Sequence, residues 1–176
     1  RNLTVIRGHH KDRAGGMYIE GAEASLSHMK FQSNAVGVRA TVPGYVGGYR
    51  PFGGGLYILT SKPSSFSRCE FVANACYRAR ILKSGGVNLD TGGGGVVMEP
   101  RGRSQTQLFT SCKFQSNMGS KAGVWMRHNV KATFSACTFE YNLGGSVYLS
   151  WSVSMARFES CVFRQNGATV IQVVIQ

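Results

Sequence analysis

Large apolar residues in this chain do not follow the three- and four-residue spacing of an amphipathic helix. They follow a nine-residue grammar: a large apolar residue, two spacers, Cys or Met, one spacer, Phe, two spacers, Asn. It is written five times, as LSHMKFQSN from Leu26, FSRCEFVAN from Phe66, FTSCKFQSN from Phe109, FSACTFEYN from Phe134 and FESCVFRQN from Phe158. Five copies in 176 residues identify a repeat protein. A second feature precedes each copy, glycine running into alternating apolar residues: GGMYI from Gly15, GGGLYI from Gly53, GGGGVVM from Gly92, AGVWM from Ala122 and GGSVYL from Gly144. Glycine turns a corner there, and the residues after it alternate between two faces as a strand does.

Cys and Phe of the grammar are two apart and share a face, while the residue between them points away. The apolar residue three before the Cys breaks the two-residue period and predicts a bend between two strands. From Met29 through Cys69, Cys112 and Cys137 to Cys161 the repeats are 40, 43, 25 and 24 residues long. A short repeat of strand, bend, strand and glycine corner, with no hairpin signal to reverse direction, predicts one coil of a parallel β-helix. Crossover handedness favours the right-handed form. The expected fold is therefore all-β: a right-handed parallel β-helix of about five to seven coils over residues 1–176, one domain. At about 4.8 Å per coil, the five motif coils with partial ones at the ends stand roughly 25 to 30 Å tall. Strand-like sequence at both termini reads as a segment of a longer repeat array.

In such a stack equivalent residues lie above one another. Phe31, Phe71, Phe114, Phe139 and Phe163 form an internal aromatic column. Asn34, Asn74, Asn117, Asn142 and Asn166 sit where the chain turns, and are expected to form a ladder through their own turns and the amides above. Cys69, Cys112, Cys137 and Cys161 occupy the inward position that Met29 fills in the first coil, so they read as reduced core thiols. With no Cys-x-x-Cys and no His at ligand spacing, no metal site is expected, and no cofactor.

The two long repeats owe their length to insertions at one corner, residues 35–52 and 75–91, which adjacent coils project side by side. Long loops in compact folds often carry function. From the first come Tyr45, Tyr49, Arg50 and Phe52; from the second, Tyr77, Arg78, Arg80 and Lys83. Together they are expected to form a basic, aromatic platform. The alternative is that VRATV and RARIL add strands to longer coils. Outside the glycine-corner strand, Tyr18, Tyr57, Val97, Trp125 and Tyr148 are equivalent, giving an aromatic column that is either open to a sugar chain or packed under an insertion loop or neighbour.

Charge sharpens the choice of partner. Twenty Lys and Arg against eight acids give a net charge of +12, which suits acidic polysaccharide, an acidic protein surface or nucleic acid. The basic residues are scattered with no long run, so nucleic acid is not the expected partner; if it bound, affinity would fall steeply with salt. Excess glycine, 23 residues against 4 proline, marks tight corners. No apolar run approaches the roughly 20 residues of a membrane helix, so no membrane insertion is expected. Acidic-polysaccharide cleavage needs clustered carboxylates, and eight acids leave few to cluster. Glu20 and Glu99 align on the outer face, but with Leu59 between them.

Phe-x-x-Asn (FQSN at 31, FVAN at 71, FQSN at 114, FEYN at 139, FRQN at 163) together with Gly-Gly-apolar strands (GGMY at 15, GGLY at 54, GGVV at 94, GGSV at 144) resembles the repeats of the polymorphic outer membrane protein family. That resemblance covers nearly the whole chain. It implies right-handed parallel β-helices displayed on cell surfaces, with adhesion or display as the role. The chain departs from the family in lacking the small residue after most glycine pairs, and a membrane-inserting C-terminal barrel. The expected function is a non-catalytic structural or adhesive segment, extracellular or built into a larger assembly through protein partners or self-stacking. The rival is a pectate-lyase-like polysaccharide-active enzyme.

Overall fold

The computed structural model describes residues 3–10, 13–37, 52–77, 80–81, 87–88, 92–100, 102, 106–150, 154–167 and 171–174. Its strands fall into parallel stacks that the chain visits in rotation. The glycine-corner sheet contains Met17–Glu20, Leu56–Leu59, Val96–Glu99, Val124–Arg127, Val147–Ser150 and Ile171–Val174. A second sheet stacks Ala24–Ser27, Ser64–Ser67, Thr106–Thr110, Lys131–Ser135 and Met155–Glu159. A third begins with Leu3–Ile6 and continues through Met29–Gln32, Glu70–Val72, Lys113–Gln115, Thr138–Glu140 and Val162–Arg164. A short fourth joins His9–His10, Ala35–Gly37 and Ala75–Tyr77, and single bridges extend it from Ala75 to Met118 and Leu143. Every coil thus pairs in parallel with the next, which is the architecture of a β-helix.

The bend lies at the residue just before the Cys or Met, two positions after the apolar residue that signals it. His28, Arg68, Ser111, Ala136 and Ser160 all have φ between 51° and 54°, and a second left-handed column, Ser33, Ala73, Ser116, Tyr141 and Gln165, precedes the Asn. Two left-handed residues per coil fold one grammar copy around the core. They bring the large apolar residue and the Phe onto adjoining inner walls.

Two ring columns result. Phe31, Phe71, Phe114, Phe139 and Phe163 stack with centroids 4.6–5.1 Å apart and planes within 11°. Phe66, Phe109, Phe134 and Phe158 form a second stack at 4.7–5.2 Å. The columns meet edge to face, as Phe134 does with Phe139 at 70° and Phe158 with Phe163 at 72°, the arrangement the ring quadrupole favours.

The asparagines form a continuous buried ladder whose bonds run between coils. Asn74 shows the pattern. Its Oδ1 accepts from the backbone N and Nδ2 of Asn34, while its Nδ2 donates to Phe31 O and to Asn117 Oδ1. Both amide hydrogens and both acceptor directions are therefore used. The same bonds recur at Asn117 and Asn142, and the first rung is closed by Gly8 N on Asn34 Oδ1.

The ladder also explains the second glycine of the corner pair. A Cβ at Gly55 would stand 2.7 Å from Gly95 O and 2.9 Å from Asn74 Nδ2, so the constraint there is close approach of the next coil. In the second insertion Arg80–Ile81 pairs antiparallel with Val87–Asn88. That segment folds back on itself and does not lengthen the parallel coils, because its partner lies within the same insertion.

Candidate functional site

The outward side chains of the glycine-corner sheet stand in two columns fixed by strand register. The first runs Tyr18, Tyr57, Val97, Trp125 and Tyr148; the second runs Glu20, Leu59 and Glu99, with Arg127 paired to Ser150 in the following coils. Val97 interrupts the aromatic column, and the gap is filled from outside the repeat. Phe52, at the end of the first insertion, places its ring 5.5 Å from Tyr57 and 5.6 Å from Trp125, spanning the valine. With Tyr18 5.1 Å from Tyr57, and Tyr148 6.5 Å from Trp125, the rings form one stripe across five coils.

Of the two readings of this column, packing under an insertion loop describes its centre. Val97 is fully buried and Tyr57 is 6% exposed, with the Phe52 ring against Tyr57; Tyr18, Phe52, Trp125 and Tyr148 are half-buried. The end of the insertion packs on the face at that point.

A polar latch holds Phe52 in place. Arg127, 6% exposed, lays its guanidinium 4.5 Å from the Phe52 centroid and 4.8 Å from Trp125, and donates through Nη1 to Glu99 Oε2 at 2.6 Å. Tyr57 Oη donates to the same carboxylate oxygen at 3.1 Å, and His128 Nε2 faces Oε1 at 3.8 Å. Burial, with the Glu99 carboxylate next to it, pushes the Tyr57 phenol well above its ordinary value. The phenol therefore stays a hydrogen-bond donor to Glu99 Oε2. Trp125 is oriented by its Nε1 donating to Ser150 Oγ at 2.8 Å.

Cations sit on the stripe at both ends. Lys121 Nζ lies 4.9 Å from the Trp125 centroid and 5.1 Å from Tyr148, and Arg13 lies 4.8 Å above Tyr18 while pairing with Glu20 at 3.4 Å. Among the described residues no three His, Cys, Asp or Glu side chains converge on a point that would hold a metal ion.

Of the platform residues read from the insertions, Phe52 lies on the stripe. Tyr77 ends the strand paired with Gly37, half-buried, on the neighbouring short sheet. Arg80 belongs to the antiparallel pair. Tyr45, Tyr49, Arg50, Arg78 and Lys83 lie outside the described residues. Sequence reasoning did not single out Arg127 or Lys121, and weighed Glu99 only as a carboxylate aligned with Glu20. The one available signal was register: Arg127 follows Trp125 by two residues and so projects from the same face.

A family described as right handed beta helix region matches residues 4–174. No curated protein and no solved structure matches the chain.

Proposed function

Since the chain belongs to the right-handed β-helix family, we propose that it is a non-catalytic adhesive scaffold whose glycine-corner face holds an extended, acidic polysaccharide. The observation that carries this reading is the stripe from Tyr18 to Tyr148, half-buried aromatic rings with Arg13 and Lys121 lying over the rings at its two ends, on a chain of net charge +12. Sugar rings pack on aromatic surface, and carboxylate or sulfate groups are drawn to ammonium and guanidinium groups. A spacing of about 4.8 Å between successive coils sets these groups regularly along the solenoid axis, which suits a polymer better than a compact ligand. The bonds of Glu99 favour binding over cleavage: its Oε2 is already the partner of Arg127 and Tyr57. Display outside the cell, or inside a larger extracellular assembly, is the setting in which such a scaffold meets acidic glycans.

Affinity electrophoresis and calorimetry on uronic-acid and sulfated oligosaccharides test the proposal. Binding is expected at low salt, weaker at high salt, and lost in Lys121→Ala/Trp125→Ala with the melting transition kept. Release of unsaturated or reducing ends from the same oligosaccharides would make the protein an enzyme and overturn the reading.

A further inference from the structure

The outer face makes no use of the four cysteines of the grammar. Cys69, Cys112 and Cys137 are buried and Cys161 is half-buried in the last described coil; all four are thiols, none joined in a disulfide. Their backbones are in register, with Lys113 N on Cys69 O, Thr138 N on Cys112 O and Val162 N on Cys137 O, each 2.9 Å. Successive cysteines therefore stand one coil rise apart, about 4.8 Å. Their side chains point the same way. Cys112 Sγ leans on Phe66 O at 3.4 Å, Cys137 Sγ on Phe109 O at 3.4 Å and Cys161 Sγ on Phe134 O at 3.2 Å, equivalent carbonyls in each case.

A row of parallel thiols at this spacing suits little of ordinary sulfur chemistry. A disulfide draws two sulfurs to about 2.05 Å, with side chains converging. Zinc wants four ligands around one point, whereas these sulfurs lie on a line and no three ligating side chains converge among the described residues. The row does match a linear two-coordinate ion. With a metal–thiolate bond of about 2.3 Å, a straight S–M–S unit spans about twice that, close to the coil rise. Soft thiolates select soft ions such as Cu(I).

We propose that the cysteine ladder is a binding site for soft monovalent cations of the Cu(I) and Ag(I) class, each held between the sulfurs of two successive coils. The exchange keeps charge balanced inside the core. One S–H bond breaks, two S–M bonds form, one sulfur keeps its hydrogen, and one proton leaves for each ion that enters. A +1 ion thus replaces a +1 proton, and the burial penalty for net charge is avoided. Hydrogen bonding with Cys112 lowers the thiols of Cys69, to about 7, and Cys137, while Cys112 itself is pushed up. The backbone amide of the residue one coil earlier also favours the thiolate form of each sulfur: Met29 for Cys69, Cys69 for Cys112, Cys112 for Cys137, Cys137 for Cys161. Cys161, at the half-open end, is the entry point.

Silver nitrate in chloride-free buffer is the probe, on a Cys76→Ser background that removes the fifth thiol. Native mass spectrometry reads retained Ag(I), a pH indicator reads released protons, and far-ultraviolet circular dichroism reads the fold. At least one ion per folded molecule is expected, with one proton released for each. Two double variants isolate adjacency. Cys69→Ser/Cys137→Ser and Cys69→Ser/Cys112→Ser each keep two ladder thiols, but only the second keeps neighbours. The first should lose the retained ion and the second should keep one. Equal retention in the two variants, or uptake only as the fold is lost, overturns the proposal. Should either variant not fold, the parent decides. A melting temperature that rises with Ag(I) concentration supports the site, as a ligand bound only by the folded state requires, and unfolding by Ag(I) refutes it.

Discussion

Phe114 and Val97 are both fully buried, but by different means. Phe114 lies between Phe71 and Phe139, its own equivalents one coil below and above. The repeat covers it. Val97 points out of the solenoid between Tyr57 and Trp125, and the ring against both of those is Phe52, a residue outside the repeat, pinned by Arg127 and Glu99. The interior is a periodic solid in which each side chain has the same neighbours, so a defect propagates to the coils on both sides. The outer face is a single latch whose failure should stay local.

Removing a ring from the periodic solid should have the largest effect. Phe114→Ala empties a site bounded by Phe71, Phe139, Phe109 and Phe134. Stacked coils with strands locked above and below relax little, so a loss of about 4 kcal/mol is expected in denaturant unfolding. A loss under about 1 kcal/mol would mean that the coils close over the gap, and that the interior is not the rigid half of the comparison.

Asn142→Ala comes next. It strands Asn117 N and Nδ2, Phe114 O and one side of Asn166, all inside the wall. At about 1 to 3 kcal/mol for an unsatisfied buried group, partly relieved by water at the coil edge, the expected cost is about 3 kcal/mol in total. Hydrogen exchange sharpens the point: protection should fall at Asn117 and Leu143, one coil apart, and not at Asn34. Unchanged melting would show that the ladder carries no stability.

The periodic half of this molecule was open to a reader of the sequence because stacking demands the same residue at the same place. Phe, Asn, Cys and the glycine pair each repeat for that reason, and spacing alone puts them inside. The bends were harder. The break in the two-residue period places a bend before each Cys or Met, but His28, Arg68, Ser111, Ala136 and Ser160 share a backbone conformation and no side-chain chemistry, so the letters do not mark which residue makes it. The latch was legible only as the alternative that an insertion packs over the aromatic column; its partners were not. Phe52, Glu99, Arg127 and Tyr57 come from an insertion and three different coils, and each meets the others only once. Val97 at an aromatic position was the trace of it: a small residue where a ring was due, leaving room for a ring from elsewhere.

On the outer face, Arg127→Met keeps the side-chain stem and removes the guanidinium. Tyr57 still bonds Glu99, but the charge-assisted bond and the cation over Phe52 are gone, a loss of about 2 kcal/mol. Because the latch is local, Phe52 should lift and wet Trp125, giving a red-shifted tryptophan emission at temperatures where circular dichroism is unchanged. Coincident loss of both signals would mean that the latch is part of the cooperative core.

Tyr57 gives the latch an alkaline limit. Its folded-state pKa is raised above the unfolded value. The stability this contributes is complete below the unfolded pKa, about 10, and declines as pH rises above it, because only the unfolded chain then gains from ionising the phenol. The melting temperature should fall more steeply above pH 10 in the parent than in Tyr57→Phe. Parallel curves would show that the phenol is not held as a buried donor.

The smallest effect returns to the interior rule and tests whether periodicity forces strain on the chain. Ala136 has φ 52°, is exposed, and has a methyl that gains nothing from the conformation. The left-handed region costs an L-residue roughly 1 to 2 kcal/mol, while glycine there costs about 0.5 to 1 kcal/mol in unfolded-state entropy. Ala136→Gly should therefore stabilise by about 0.5 kcal/mol, with Ala73→Gly, at φ 51° in the second bend column, behaving alike. The backbone bond from Ala136 N to Glu159 O is kept in either case. If both glycines destabilise, the bends are relaxed and their side chains help to hold them. If both stabilise additively, the coil-to-coil register imposes the left-handed turns, and the residues found there are tolerated, not selected for shape.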